Sequence, residues 1–137
     1  MKTSIAITPR PISVSKIVRS VEERSAGGTV VFIGTVRNNS GGKKVSMLEF
    51  EAADDLAKAD LKRIGESACR RFGLLRVAIS HRKGRLKVGD VIIVIAVSSA
   101  HRQDAFKGCR YIIDELKRTT PIWKKEHSGG KSLWVNG

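Results

Sequence analysis

An apolar run that leads directly into an amphipathic helix is the feature that most constrains the fold. Val91 to Val97 is hydrophobic throughout, which predicts a buried central strand. After Ser98-Ser99-Ala100-His101-Arg102, apolar residues recur at helical spacing as far as Lys117, and Pro121 follows. The two serines are predicted to cap this helix, because a hydroxyl accepts a hydrogen bond from a free N–H of the first turn. The recurring residues, which place one helix face in the core, are Ala105, Cys109, Ile112, Ile113 and Leu116.

The two ends of this helix carry cationic side chains. His101 and Arg102 fall in the first turn, where free N–H groups and the helix dipole attract anions, and Lys117 falls in the last turn. The separation corresponds to roughly 24 Å along a helix. One copy of the helix cannot bring both ends to one small molecule, whereas two copies packed antiparallel about a two-fold axis can. We therefore predict that a site using all these residues is shared across a homodimer.

The rest of the chain alternates helices with pairs of strands, and Gly34 is expected to mark a bulge. This order favours an α+β fold in a single domain spanning residues 1–137. The remaining predicted elements are a strand Ser4 to Ile7, a helix Lys16 to Glu23 capped by Ser15, a strand Thr29 to Arg37 with Val45 to Glu51 as its partner, a helix from Asp54 or Asp55 to a stop at Gly73, a strand Arg76 to His81, a connection Gly84 to Asp90, and a hairpin of Ile122 to His127 with Lys131 to Val135.

Charge and hydropathy narrow the class of protein. The net charge is +13, from 26 Lys and Arg against 13 Asp and Glu, which predicts an anionic partner: nucleic acid, an acidic protein or a phosphorylated small molecule. No apolar run reaches the roughly 18 residues of a membrane-spanning helix. Met1 to Arg10 lacks the apolar core of a signal peptide, and Cys69 and Cys109 form no disulfide framework. We expect a cytoplasmic protein.

Several cations stand close together in the second half of the sequence. Taken alone, Arg37, Lys117 and the pair Lys124-Lys125 are typical of solvated surface residues. The proximity in sequence of Lys117 and Lys124-Lys125 to His101-Arg102, with Pro121 fixing a turn, favours a shared site. Crowded positive charges disfavour protonation, so one lysine could act as a nucleophile or base, and a bound phosphate would oppose that effect. The sequence leaves both outcomes open.

Metal and nucleotide sites are not supported by the motifs. His81, His101 and His127 lack the spacing of metal ligands, and neither cysteine has a CxxC partner, so we predict no metal and no bound cofactor. Gly129-Gly130-Lys131-Ser132 resembles the end of a phosphate-binding loop. However, Lys125 occupies the position that requires glycine, and a strand-like segment follows, so this stretch is interpreted as a hairpin turn.

Three blocks in the second half of the chain form a distinctive set: Ser98-Ser99-Ala100-His101-Arg102, Asp114-Glu115-Leu116-Lys117 and Thr120-Pro121-Ile122-Trp123-Lys124-Lys125-Glu126. Shorter segments accompany them from about Gly28 to Val135: Gly34-Thr35-Val36-Arg37-Asn38, Leu48-Glu49-Phe50-Glu51, His81-Arg82-Lys83-Gly84, Val88-Gly89-Asp90 and Trp134-Val135. In this order and spacing they resemble the catalytic (large) subunit of molybdopterin synthase. The resemblance implies an α/β hammerhead-type α+β fold with an additional antiparallel β hairpin subdomain.

This resemblance implies a sulfurtransferase of molybdenum cofactor biosynthesis. A small ubiquitin-like sulfur-carrier subunit, ending in Gly-Gly as a thiocarboxylate, would deliver sulfur to cyclic pyranopterin monophosphate, the substrate, to make the molybdopterin dithiolene. The large subunit would form a homodimer at the centre of a heterotetramer.

The resemblance also assigns roles to residues. Lys117 matches the catalytic lysine and is counted among the substrate-binding residues, and Arg and Lys side chains suit a cyclic phosphate. The other residues expected to bind substrate are Thr35, Val36, Arg37, His101, Arg102, Lys124, Lys125 and Glu126.

Two departures from the family pattern are visible. Relatives often carry an Arg beyond the Trp-Val pair, where Asn136 and Gly137 stand here, so that basic contact is either missing or supplied by another residue. Ala52-Ala53-Asp54-Asp55 replaces a segment that commonly carries an aromatic residue.

Two other classes of function are considered. A small basic nucleic-acid-binding module is the main alternative, but aromatic residues make up only 5% and neither an RNP-type pattern nor a helix-turn-helix is present. The second is a non-catalytic scaffold that only docks the ubiquitin-like partner. Turnover separates the scaffold from the enzyme, and steep salt dependence of binding identifies a nucleic-acid binder.

Overall fold

Three helices and ten strands make up the computed structural model, which describes residues 2–135. In chain order the elements are β1 (Thr3–Thr8), α1 (Val14–Ser20), β2 (Gly28–Thr35), β3 (Asn39–Ser40), β4 (Lys43–Lys44), β5 (Met47–Ala52), α2 (Asp54–Phe72), β6 (Leu74–Arg82), β7 (Gly84–Lys87), β8 (Val91–Ser99), α3 (Arg102–Thr119), β9 (Ile122–Ser128) and β10 (Lys131–Val135). Within residues 2–135, none of the helices combines the length and the apolar character needed to cross a membrane.

The first sheet has the strand order β1-β6-β8-β2, with β1 parallel to β6 and the other neighbours antiparallel. The apolar strand β8 lies inside this sheet, which confirms its predicted central position. Successive side chains of a strand point to opposite faces. Val77 and Ile79 therefore pack against α2 and α3, whereas Ala78 packs with Val21 beside α1. The two long helices thus cover one face of this sheet and the short helix covers the other.

The second sheet has the order β10-β9-β5-β7 and is antiparallel throughout. It encloses a smaller apolar cluster. The predicted final hairpin is confirmed, with Gly129 and Gly130 at φ 55° and 80°, a backbone region that suits glycine in a tight hairpin turn. The architecture confirms the predicted α+β class with an additional antiparallel hairpin. The members of the smaller cluster are Val36, Val45, Leu48, Phe50 and Leu86.

Two strand predictions were wrong. The Val45 to Glu51 segment forms β5 but does not pair with β2: β2 pairs with β8 at the edge of the first sheet, whereas β5 pairs with β7 and β9 in the second sheet. The Gly84 to Asp90 connection contains strand β7. A short β3–β4 hairpin moves the chain from one sheet to the other, and nothing local in the sequence specifies that change.

The predicted helix caps were also wrong in three cases. Ser98 and Ser99 are fully buried ladder residues of β8, so His101 occupies the N-cap position of α3 without a side-chain cap bond. Ser13, not Ser15, caps α1. Asp54 is the first residue of α2, and its carboxylate binds Lys83 Nζ at 2.6 Å instead of capping the helix. Gly73 ends α2 in the left-handed conformation, as predicted.

Candidate substrate-binding site

A cavity of about 530 Å³ lies where the two sheets meet the C-terminal end of α3. Its volume is in the range of pockets that enclose a small molecule. Apolar side chains line much of the wall, including Phe50, Ile93 and Leu116. The polar and charged residues of the lining are Thr35, Arg37, Asn39, Ser40, His81, Lys117, Thr120, Lys124 and Glu126.

The end of β2 positions Thr35 and Arg37. The β2–β8 register shifts between Gly34 and Thr35, which confirms the predicted bulge, and a Cβ on Gly34 would meet Ile93 Cγ2 at 2.8 Å. Val36 is buried at 2% exposure, and both of its backbone groups are bonded: its N–H donates to Asp90 O and its carbonyl accepts from Gly89 N. Val36 therefore presents no free polar group and holds its two neighbours at the cavity.

Lys117 and Lys124 are brought together by a braced turn. Lys117 lies in the last turn of α3, and the chain enters β9 after Thr120 and Pro121. Asp60 of α2 accepts hydrogen bonds from the hydroxyls of Thr119 at 2.7 Å and Thr120 at 2.8 Å. Because these bonds tie the turn to α2, they fix the angle at which β9 leaves the helix.

Strand alternation divides the predicted residues of β9. Ile122, Lys124 and Glu126 line the cavity, as expected for side chains two residues apart on one face. Lys125 lies on the opposite face, where its Nζ is 5.3 Å from the ring centroid of Trp134. Lys124 and Glu126 are thus the members of the predicted segment that reach the cavity within this chain.

Three cationic side chains, those of Arg37, Lys117 and Lys124, lie close together in the cavity. The pKa of Lys124 lies below the ordinary 10.5, chiefly because burial penalises the ammonium form, and the charges of Lys117 and Arg37 lower it further. Glu126 opposes this shift. Three cations face one carboxylate, so an anion with several oxygens, such as a phosphate, would balance the charge.

His101 and Arg102 lie at the other end of α3 and do not line the cavity of their own chain. Both are exposed. The length of α3 separates them from Lys117 by roughly 24 Å, as the sequence predicted. The chain therefore brings together Thr35, Arg37, Lys117, Lys124 and Glu126. The proposed roles of all nine residues stay predictions.

Sequence reasoning assigned no role to His81, which lines the cavity and is only 5% exposed. Its Nδ1 lies 2.7 Å from the carbonyl oxygen of Arg82, and its ring packs against the Phe50 ring in a T-shaped arrangement. Burial lowers the pKa of His81 to about 4, against a smaller opposing effect of the Arg82 carbonyl. The sequence signal was a polar residue at the end of a predicted strand, within a block that matched the family.

Residues 2–135 contain no group of three or more His, Cys, Asp or Glu side chains arranged to hold a metal ion. The basic contact expected beyond Trp134-Val135 falls on Asn136 and Gly137, which lie outside the described residues. In the Ala52 to Asp55 segment, which departs from the family pattern, the Asp54 carboxylate accepts a hydrogen bond from Lys83 Nζ.

The fold and cavity define a class: a small α+β protein whose cationic pocket, between two sheets and a helix end, suits an anionic small molecule. A family model described as MoaE protein matches residues 7–119. The chain is 37% identical over 136 residues to the molybdopterin synthase catalytic subunit of Pyrococcus abyssi, covering 99% of this chain and 92% of the relative. It is 42% identical over 130 residues to that of Halalkalibacterium halodurans, covering 95% and 83%. The chain therefore belongs to the MoaE family, and the resemblance seen in the sequence is confirmed.

Solved structures agree with this assignment. The crystal structure of molybdopterin synthase from Staphylococcus aureus superimposes with a TM-score of 0.91 at 36% identity, covering 96% of each chain. A chain from a complex of subunits 1 and 2 of the molybdopterin-converting factor of Helicobacter pylori has a TM-score of 0.76 at 19% identity, covering 98% of this chain and 90% of that one, and shows the same fold. Family membership favours the sulfurtransferase over the nucleic-acid-binding module.

Proposed function

We propose that this chain is the catalytic subunit of a molybdopterin synthase. It transfers sulfur from the thiocarboxylated C-terminus of a small ubiquitin-like subunit to cyclic pyranopterin monophosphate, which becomes the molybdopterin dithiolene. The observation that carries the proposal is the meeting of Arg37, Lys117 and Lys124 in one cavity of small-molecule size. Arginine and lysine donate charge-assisted hydrogen bonds to phosphate oxygens, so they suit this substrate.

The cations also suit the chemistry. Attack of a thiocarboxylate sulfur on a pterin carbon moves negative charge onto the substrate, and fixed positive groups stabilise such charge in a site shielded from water. Lys117 has two roles open to it: it assists attack on the pterin, or it handles the acyl group left when sulfur departs. An amide between Lys117 Nζ and the small subunit's terminal glycine, detected by intact mass, would identify the second role.

The assembly follows from the position of the remaining predicted residues. In the proposed homodimer, the start of α3 from one copy lies beside the end of α3 from the other and adds His101 and Arg102 to the cavity. The small subunit's Gly-Gly tail enters the same cavity, and an acidic small subunit would complement the net charge of +13. We expect the chain to act in the reducing cytoplasm, where thiols such as its two free cysteines stay reduced.

The test is reconstitution with the thiocarboxylated small subunit and cyclic pyranopterin monophosphate. The wild-type chain should form the dithiolene product, and Lys117→Ala should lower the rate at least ~100-fold, because it removes a group that acts on the reacting atoms. Arg118→Ala is the matched control. Arg118 neighbours Lys117, binds Glu115 at 2.7 Å and does not line the cavity, so its variant should keep nearly full activity. Normal turnover by Lys117→Ala would show that the assigned role is wrong.

A further inference from the structure

His81 is a buried polar group in the cavity wall that the proposed sulfur transfer does not use. It lies near the end of β6, opposite Ile93 of β8 and Ile7 of β1. Its ring packs against the Phe50 ring in a T-shaped arrangement, with 5.2 Å between ring centroids and an interplanar angle of 71°. Ring packing and two neighbouring strands therefore fix its position within the wall.

The contacts of the ring define which nitrogen carries the proton. Nδ1 lies 2.7 Å from the carbonyl oxygen of Arg82. A carbonyl oxygen only accepts hydrogen bonds, so Nδ1 is the protonated nitrogen. The pKa of about 4, set by burial, keeps the ring neutral at neutral pH, and Nε2 then carries an unprotonated lone pair. Among residues 2–135, no group donates a hydrogen bond to Nε2.

This lone pair differs in chemistry from the charged residues of the cavity. Arg37, Lys117 and Lys124 only donate hydrogen bonds, and they match the oxygens of a phosphate. A fully ionised phosphate group has no donor to offer to His81. The wall around His81 includes Phe50 and Ile93, a surface that suits a flat heterocycle. A ligand that satisfies both the cations and His81 therefore needs an anionic group and, elsewhere on the same molecule, an N–H donor.

We propose that His81 Nε2 accepts a hydrogen bond from a ring N–H or amino group of the pterin, so that His81 selects the heterocycle while the cations hold the phosphate. The inference rests on the proposed function and deepens it, because it assigns a specificity-determining residue to the same site. It predicts that recognition of the two ends of the substrate can be separated by mutation.

The test measures binding of three ligands by calorimetry: cyclic pyranopterin monophosphate, an unphosphorylated pterin and inorganic phosphate. His81→Phe keeps the ring volume and removes the acceptor. It should weaken binding of both pterins by about 10- to 100-fold, because a buried donor loses its partner, and leave phosphate binding unchanged. His81→Gln, whose side-chain oxygen can accept, should recover part of the loss. Lys124→Met is the complementary variant. It should weaken binding of cyclic pyranopterin monophosphate and of inorganic phosphate, while binding of the unphosphorylated pterin persists.

A second measurement uses the wild-type chain and does not depend on the folding of any variant. With ¹⁵N-labelled histidine, the Nε2 resonance of His81 should report an unprotonated nitrogen and should shift when either pterin is added, but not when phosphate is added. An unmoved Nε2 at saturating pterin, or unchanged pterin affinity in a folded His81→Phe chain, would overturn the inference. If the Nε2 resonance does not shift but the chain still forms product, only the inference about His81 is refuted and the proposed function stands. If the Nε2 resonance shifts on addition of pterin but no product forms, only the proposed function is refuted.

Discussion

The sharpest prediction concerns two variants that are inactive alone and active together. His101→Ala removes a group at the start of α3, and Lys117→Ala removes one at its end, roughly 24 Å away along the same helix. If the site is built from the end of one helix and the start of its partner's helix, each single-variant homodimer has two damaged sites. A heterodimer of the two variants has one doubly damaged site and one intact site.

This geometry sets the size of the rescue. The intact site pairs Lys117 from the His101→Ala chain with His101 from the Lys117→Ala chain. A heterodimer purified on two different affinity tags should therefore have about half the wild-type activity. Equal amounts of the two chains that pair at random should have about a quarter, since half of the dimers are heterodimers. Dithiolene formation with the thiocarboxylated small subunit is the assay.

A matched pair of variants tests whether the rescue has the stated cause. Lys117 and Lys124 line the cavity of one chain, so a heterodimer of Lys117→Ala with Lys124→Ala contains no intact site. Its activity should stay at the level of the single variants. Absence of rescue in the first pair, equal rescue in both pairs, or failure of the chains to form dimers would each refute the shared-site reasoning.

Two further predictions concern charge near the cavity. Lys124→Met should raise the free energy of unfolding by about 0.5–1 kcal/mol while weakening phosphate binding, because it removes a half-buried charge beside two other cations; the gain is small because solvent screens a charge that is only half-buried. Lys124 binds its proton more strongly in the unfolded chain than in the folded one. The free energy of unfolding of the wild type should therefore rise with pH between the lowered folded-state pKa and 10.5. Urea denaturation of the Lys124→Met variant should show no such rise. Asp60→Ala should cost about 1–2 kcal/mol near pH 7. Burial would raise the pKa of Asp60, yet hydrogen bonds from Thr119, Arg63 and Thr120 hold it below 3.8. The difference in unfolding free energy between wild type and Asp60→Ala should therefore narrow as the pH falls through that lowered pKa. A difference that stays constant with pH in denaturation experiments would contradict the assignment.

Local patterns predicted the elements whose stability is decided locally. The apolar run of β8, the helical spacing in α3 and the glycine pair of the final hairpin each carry their own signal, and each forms where predicted. Gly73 ends α2 because only a residue without a side chain adopts its φ of 63° at no cost.

Strand partners and helix caps could not be predicted in the same way. β5 pairs with β9 in the second sheet although β2 is an edge strand of the first, so the choice of partner depends on how the two sheets are assembled and not on the local sequence. Ser98 and Ser99 have the composition of caps, but β8 extends through both because their backbone groups pair with β2 and β6. In these cases tertiary pairing outweighed local preference.

The site was partly visible in the sequence. Lys117 and Lys124 were proposed from their grouping and from the family resemblance, Arg37 was proposed from the resemblance, and the three meet in one cavity. Strand alternation separates Lys125 from Lys124, but the family block alone does not say which of the two faces inward. His81 had no visible role, since its tautomer depends on the Arg82 carbonyl and on the burial of its ring.

The cations of the cavity are held together by contacts that do not face it. Each comes from a different element: Arg37 follows β2, Lys117 ends α3 and Lys124 belongs to β9. The mutual repulsion of the three cations opposes this arrangement, so hydrogen bonds outside the cavity must hold their backbones in place. Asp60 does so by bracing the turn between α3 and β9, and the backbone of Val36 does so at the end of β2. A bound phosphate adds negative charge to that of Glu126, which alone does not balance three cations, and for that reason the substrate should stabilise the fold that binds it.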